Sequence, residues 1–176
     1  MKRLLIVALS MVASAGYAQK ENVVKINILS PIVKTFNVQY ERKVNATSSF
    51  QLGFFYTGYS VSETSFSGIG ITPEYRFYLS DSEAPQGVYI APFLRYQNFS
   101  LTESISNGKA TLSNFGAGVI LGKQWLFKEK IVLDIFIGPG YSSGSLKVTS
   151  GTSSQFETGA FDGFGLRAGL CLGFAF

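Results

Sequence analysis

The chain contains no histidine and only one cysteine, Cys171. Without histidine it lacks both the usual general base of a serine nucleophile and the commonest metal ligand in proteins. A single cysteine excludes an intramolecular disulfide. These absences argue against an enzyme, so we expect no catalytic residue, no cofactor and no metal site. Cys171 itself is interpreted as a small, inert interior thiol.

Long hydrophobic runs are also missing. The apolar stretch LLIVAL, residues 4–9, is too short to span a membrane, and no later stretch reaches the roughly 20 apolar residues that a transmembrane helix needs. Lys2 and Arg3 precede this stretch, and the small residues Gly16 and Ala18 follow it. The pattern is typical of a secretory signal peptide. We expect residues 1–18 to be cleaved, which leaves residues 19–176 as one domain.

The excess of positive charge is small. The chain has 15 Lys plus Arg and 11 Asp plus Glu, a net charge of +4. Loss of Lys2 and Arg3 with the signal peptide lowers this to about +2. The sequence contains no basic cluster interleaved with aromatic residues, so we expect no nucleic-acid partner.

The clearest pattern that the chain does contain is an alternation of apolar with small or polar residues. From Phe164 to Phe176 every second residue is Phe, Leu or Ala, while three of the six positions between them are glycine and one is Arg167. Such a strand has one apolar face, because successive side chains of a strand point to opposite sides. An apolar outer face and a polar inner face are typical of a transmembrane β-barrel.

Eight segments alternate in this way, separated by clusters of Ser, Thr, Asn, Gly and Asp that indicate turns. They cover residues 23–29, 36–43, 49–59, 68–79, 88–99, 110–125, 131–141 and 161–176. The strand number is even, and most segments approach the roughly 9–11 residues that cross a bilayer. The sequence therefore predicts an all-β fold, a transmembrane antiparallel up-and-down β-barrel of about eight strands.

Prolines and loop lengths add detail to this prediction. Pro73, Pro92 and Pro139 fall inside predicted strands, and because proline cannot donate a ladder hydrogen bond we expect bulges or ladder ends there. If the strands broke instead, the strand count would fall.

The predicted outer loops are residues 30–35, 60–67, 100–109 and 142–160, and the inner turns are residues 44–48, 80–87 and 126–130. A surface partner, which the sequence does not identify, would bind the outer loops. The GYSSG motif at residues 140–144 resembles a serine-nucleophile motif, but without histidine we interpret it as loop.

The positions of the charged residues indicate which face of each strand points into the barrel. If the apolar positions face outward, seven charged residues face inward: Lys25, Glu41, Glu74, Arg76, Arg95, Asp134 and Arg167. The opposite register would place the four bases in lipid, at about 2–4 kcal/mol each near the midplane. An eight-stranded barrel is just wide enough for side chains to fill it, so these charges would pair across the lumen. We therefore predict a structural polar network in the lumen, and prefer it to a catalytic site of paired carboxylates.

The signal peptide, the alternating strands and the terminal LCLGFAF, residues 170–176, resemble the small OmpA/OmpX-type outer-membrane barrels of Gram-negative bacteria. Segments such as GIGITPEYRFYLS, residues 68–80, and LDIFIGPGY, residues 133–141, are similar to a family of small secreted barrels of unknown function. The resemblance implies export through the inner membrane, an outer-membrane location and contact with outer-membrane lipid. It also implies that the barrel-assembly machinery recognises the last strand, with Phe174 and Phe176 as the assembly signal.

Three functions remain open at this point. The sequence favours a non-enzymatic integral outer-membrane barrel with a side-chain-filled polar lumen and a structural or surface-interaction role. The alternative is a porin-like narrow pore or small-solute channel, because glycines in the lumen leave space. A second alternative is a soluble secreted lipocalin-like binding barrel, in which Phe and Leu would face inward.

Overall fold

A computed structural model describes residues 21–61, 64–80, 82–103, 108–150 and 162–176. The predicted signal peptide, residues 1–18, lies outside the described residues. Among the residues that are described, no helix has the length and apolar character needed to cross a membrane.

Eight antiparallel strands close into a barrel in the order in which they occur along the chain. They are β1 (Asn22–Asn27), β2 (Thr35–Asn45), β3 (Ser48–Val61), β4 (Thr64–Tyr78), β5 (Gly87–Glu103), β6 (Gly108–Phe127), β7 (Ile131–Ser150) and β8 (Gly163–Ala175). The last strand pairs with the first, and Asn22 and Phe176 exchange two backbone hydrogen bonds of 3.1 and 2.8 Å at this seam. The predicted all-β, eight-stranded antiparallel barrel is therefore confirmed.

The strands are longer than predicted at the end where the outer loops were expected. Pairing between β3 and β4 continues to Val61 and Thr64, and Ser100 of β5 still pairs with Thr111 of β6. The GYSSG motif lies in β7, where Ser142 pairs with Gly116, so its interpretation as loop was wrong. The Ser and Thr clusters predict turns, but backbone pairing continues through them because a hairpin ladder does not require apolar side chains.

The three prolines leave the strands continuous. Pro73 pairs with Leu52 of β3, and Pro92 pairs with Val119 of β6, but the ladder between β4 and β5 skips both prolines without changing register. Pro139 behaves alike, since it pairs with β8 while the β6–β7 ladder skips it in the same register. Each proline thus interrupts the ladder on one side only, because it lacks a donor there. The expected bulges and ladder ends at these positions were wrong, and the strand count stays at eight.

The interior of the barrel combines apolar clusters with charged residues, and its outer wall is largely apolar. Three apolar clusters occupy the interior, around Val23 and Val132 at the end of the inner turns, Tyr89 and Phe136 in the middle, and Phe99 toward the other end. Charged and amide side chains are buried between these clusters. Aliphatic side chains in the middle of the outer wall are 39% to 48% exposed, among them Leu52, Ile71, Leu94, Val119 and Ile135.

Candidate functional site

A charged cluster fills the half of the lumen near the inner turns. It consists of Lys25 from β1, Glu41 from β2, Arg76 from β4 and Asp134 from β7, together with Gln124 from β6. Every one of the four charged side chains has 0% exposure. The residues meet because each occupies an inward position of its strand, and the barrel brings distant segments of the chain to one level.

Lys25 is the centre of this cluster. Its Nζ lies 2.6 Å from Glu41 Oε2, 2.7 Å from Gln124 Oε1 and 2.9 Å from Asp134 Oδ2. An ammonium group has three donors, so all of them are used. The buried charge is therefore both neutralised and fully hydrogen-bonded, which is the condition under which a protein interior tolerates it.

Arg76 connects the carboxylate of Asp134 with Glu74, which lies at the next level of the lumen. Its Nη1 donates to Asp134 Oδ2 at 2.8 Å and to Gln124 Oε1 at 3.2 Å, while Nη2 lies 3.3 Å from Glu74 Oε2. The guanidinium carbon lies 4.2 Å from the centre of the Tyr89 ring, a cation–π contact. Arg76 thereby connects the charged cluster with Glu74.

The carboxylates of the cluster have no free oxygen. Glu41 Oε1 accepts from Ser49 at 2.5 Å and from Tyr78 at 2.6 Å, and Asp134 Oδ1 accepts from Tyr89 at 2.7 Å. Their other oxygens accept from the cations already described. General acid–base chemistry needs a carboxyl group that a substrate reaches, and these two are enclosed and engaged on both oxygens. The arrangement is a closed network of ion pairs and hydrogen bonds.

Glu74, Arg167 and Arg95 form a second level, nearer the middle of the barrel. Arg167 Nη2 donates to Glu74 Oε1 at 2.5 Å, and its guanidinium carbon lies 4.8 Å from the ring centre of Phe93 and 4.7 Å from that of Phe136. Arg95 instead donates to Thr72 Oγ1 at 3.3 Å. No carboxylate in the described part of the chain lies within salt-bridge distance of Arg95. The structure thus brings six of the seven predicted residues into ion pairs and leaves Arg95 outside them.

The β4–β5 connection supplies partners that the sequence did not suggest. Pro85 accepts a 2.6 Å hydrogen bond from Gln124 Nε2, and the amide of Ala84 donates to the carbonyl of Ala46 in the neighbouring turn. Both Ala84 and Pro85 are buried, so this connection covers the end of the lumen. On its exposed side Lys43 donates to Glu83 at 2.7 Å, and this hydrogen bond lowers the pKa of the Glu83 carboxyl.

Ser49, Tyr78 and Tyr89 were missing from the predicted network. The alternation of the strands could have placed both tyrosines inside the barrel. Tyr78 lies two residues after the inward Arg76, and Tyr89 lies an even number of residues before the inward Arg95. Tyr89 fits because Gly122 faces it on β6, where an added Cβ would overlap the phenol ring. Gly122 therefore makes room for a larger neighbour.

The remaining predicted residues lie apart from the charged cluster. Cys171 is buried, and its Sγ lies 3.5 Å from Gln39 Oε1. Phe174 is exposed on the outer wall, and Phe176 closes the seam between β8 and β1 through its backbone. Within the described ranges, no group of three or more Cys, Asp or Glu side chains is arranged to hold a metal ion.

The comparisons with known proteins identify a family. A family model described as "Protein of unknown function (DUF3575)" matches residues 4–158, a range that includes β1 to β7 and ends before β8. No curated protein and no solved structure matches the chain. The family match covers most of the chain, and the chain therefore belongs to the DUF3575 family of proteins of unknown function.

Proposed function

We propose that this protein is a non-enzymatic integral outer-membrane barrel whose lumen is blocked by side chains, with a structural or surface-interaction role. The observation that carries the proposal is the combination of a charged interior with an apolar outer wall. Five charged side chains in the lumen are wholly buried, while large apolar side chains are exposed on the outer wall of every strand. A soluble protein rarely exposes a continuous apolar surface of this kind, whereas lipid covers it favourably.

The distribution of aromatic residues supports a membrane environment. Exposed aromatic side chains lie near several strand ends on the outer wall, and aliphatic side chains occupy much of the wall between them. Those near strand ends include Phe36, Phe77, Phe127, Phe164 and Phe174, whereas Tyr40 and Tyr141 are exposed near the middle of their strands. Membrane barrels have an apolar band bordered by aromatic girdles at the two interfaces. The apolar outer wall weighs against a lipocalin-like binder, whose outer surface would meet water, although Phe side chains do line part of the interior.

The charged cluster supports a closed lumen rather than a pore. Lys25, Arg76, Glu41 and Asp134 contact one another directly across the barrel axis, and Gln124 and two tyrosines occupy the space around them. A water path through this level would have to separate buried ion pairs, which is strongly unfavourable. Spaces of about 90 and 250 Å³ lie beside Arg95 and Arg167, on the other side of this level.

Membrane fractionation tests the location. We expect the full chain, expressed in a Gram-negative host, to sediment with the outer membrane and to require detergent for release. A washed inner-membrane fraction and the periplasmic extract are the controls. Recovery of most of the protein from the periplasm without detergent would contradict the proposal and favour the soluble alternative.

Conductance tests the closed lumen. The purified, folded protein in a planar lipid bilayer is expected to give no discrete current steps, because the charged cluster leaves no continuous aqueous path. Insertion must be verified in the same preparation, for example by the changed gel migration of the barrel after boiling. Regular current steps from verified barrels would replace the closed barrel with the pore alternative.

A further inference from the structure

The barrel wall is incomplete beside Arg167. β1 ends at Asn27, and its last contact with β8 is the hydrogen bond from the Ile28 amide to the Leu170 carbonyl, 2.9 Å. Beyond it the chain forms a 3-10 helix, Ser30–Val33, instead of continuing the strand. Among the described residues, the part of β8 from 163 to 169 therefore has a strand partner on the β7 side only.

A cavity of about 250 Å³ lies behind this gap. Polar side chains from four strands and the 3-10 helix line it, among them Asn27, Ser30, Asn37, Gln97, Arg95 and Arg167. Its volume is below the roughly 300–1,000 Å³ of sites for drug-sized ligands, so it suits a small group. Leu166, which also lines the cavity, is 72% exposed, and so are the apolar residues Ile32 and Val33 of the helix, at 78% and 65%.

The charges around this cavity do not balance. Arg95 and Arg167 both line it, and Glu74 is the carboxylate that pairs with Arg167 while also pairing with Arg76. Arg95 has no carboxylate partner among the residues described. The surroundings of the cavity thus carry an excess of positive charge, in contrast to the neutral cluster of Lys25, Glu41, Arg76 and Asp134.

Arg167 also has unused donors. Its side chain is 9% exposed, yet Nε and Nη1 have no hydrogen-bond partner. The guanidinium carbon lies 4.8 Å from the ring centre of Phe93 and 4.7 Å from that of Phe136, and the two free donor atoms are enclosed by protein. Buried donors are normally satisfied, and an arginine edge is suited to the oxygens of carboxylates and phosphates.

We propose that this cavity binds a phosphate or carboxylate group between Arg95 and Arg167. Such an oxyanion would neutralise the excess charge and accept hydrogen bonds from the guanidinium groups of Arg95 and Arg167, with the amides of Asn27, Asn37 and Gln97 as further donors. The ligand is either a free anion or the head group of an amphiphile whose chain leaves through the gap past Leu166. The binding site does not depend on the membrane location of the barrel.

Calorimetric titration of the folded full chain in dodecyl maltoside tests the site with two probes, inorganic phosphate and dodecyl phosphate. We expect saturable binding of one molecule per barrel. Arg95→Gln removes the base that has no ion pair, and Arg167→Lys keeps the charge beside Glu74 but removes the planar edge. Either change should weaken binding about tenfold or more, because a charge-assisted hydrogen bond is lost. Lys147→Gln, at an exposed base of β7, is the matched control and should bind as the unchanged protein does.

The two probes separate the two sources of the anion. Binding of both probes with similar affinity identifies a free anion, and binding of dodecyl phosphate alone identifies an amphiphile. Gel migration before and after boiling shows that each variant is folded, and Arg95→Gln decides the question if Arg167→Lys does not fold. The proposal is overturned if neither probe binds saturably, or if Arg95→Gln and Lys147→Gln bind equally well.

Discussion

Lys25 illustrates how single residues determine the interior of this barrel. It is wholly buried, yet each of its three donors has an acceptor, and two of those acceptors are carboxylates. A buried ion pair is weak evidence for stability, because desolvation offsets much of the attraction between its charges. Removal of one member of the pair is strongly destabilising, because the other charge stays buried without its partner.

Lys25→Met should therefore be strongly destabilising. Glu41 and Asp134 would each lose a cation at 2.6 and 2.9 Å, and we expect the free energy of unfolding to fall by about 3–5 kcal/mol. Urea unfolding of the reconstituted barrel, followed by the fluorescence of Trp125, measures this. Lys43→Met is the matched control, because Lys43 pairs with an exposed carboxylate and its loss should have a much smaller effect. Equal effects of the two changes would show that the charged cluster does not stabilise the barrel.

Close packing around Tyr89 gives a second test at the residue scale. Gly122→Ala would place a methyl group in the phenol ring and displace its hydroxyl from Asp134, at about 1–3 kcal/mol of lost stability. Gly165→Ala is the control, because an added Cβ there meets no atom within 4 Å. The same urea titration compares the two variants. A Gly122→Ala barrel as stable as the control would mean that Tyr89 shifts without loss.

Much of the charged cluster could be predicted from parity alone, and part of it could not. Lys25, Arg76 and Asp134 face inward because an outward cation or anion would enter the apolar wall, so alternation suffices to place them. The hydrogen bond from Gln124 to the Pro85 carbonyl follows from how the β4–β5 connection folds over the end of the barrel. Such contacts depend on loop conformation, for which the sequence carries no periodic signal.

At the scale of elements, strand number was predictable and strand ends were not. Alternation stops where both faces of a hairpin are polar, although Ser100 and Thr111 still pair there. The ladder is a backbone property, so side-chain periodicity underestimates its length. The converse holds for β1, whose alternation suggests a strand to residue 29 while the structure ends it at Asn27, before the 3-10 helix that contains Pro31.

The last strand carries a prediction of its own. Phe176→Ala keeps the backbone hydrogen bonds that join Asn22 to the chain end but removes the terminal aromatic side chain. If the assembly machinery recognises this side chain, a severalfold smaller share of the protein should reach the outer-membrane fraction as folded barrel. Phe164→Ala, at the other end of the same strand, is the control, because Phe164 is also exposed. Equal yields of the two variants would contradict an assembly role for Phe176.

At the scale of the whole molecule, closure of the sheet joins the apolar faces of eight strands into one continuous outer surface. A single strand with an apolar face is compatible with a soluble sandwich, a soluble barrel or a membrane barrel. Closure with charges inside leaves the apolar faces together on the outer wall, where nothing in the described chain covers them. The alternation in the sequence could predict the charged interior and the apolar outer wall. Membership of a family of unknown function assigns no activity to the barrel.

A pair of arginine substitutions on the outer wall separates the membrane barrel from a soluble one. Leu94 lies in the middle of β5 and is 48% exposed, so in a bilayer Leu94→Arg should lower the free energy of unfolding by about 2–4 kcal/mol. Leu79, just beyond the end of β4, is 65% exposed, and Leu79→Arg should cost only about 0–1 kcal/mol near the interface. Urea unfolding in lipid vesicles measures both. In a soluble barrel both side chains would meet water, and two small, similar effects would therefore contradict membrane insertion of the outer wall.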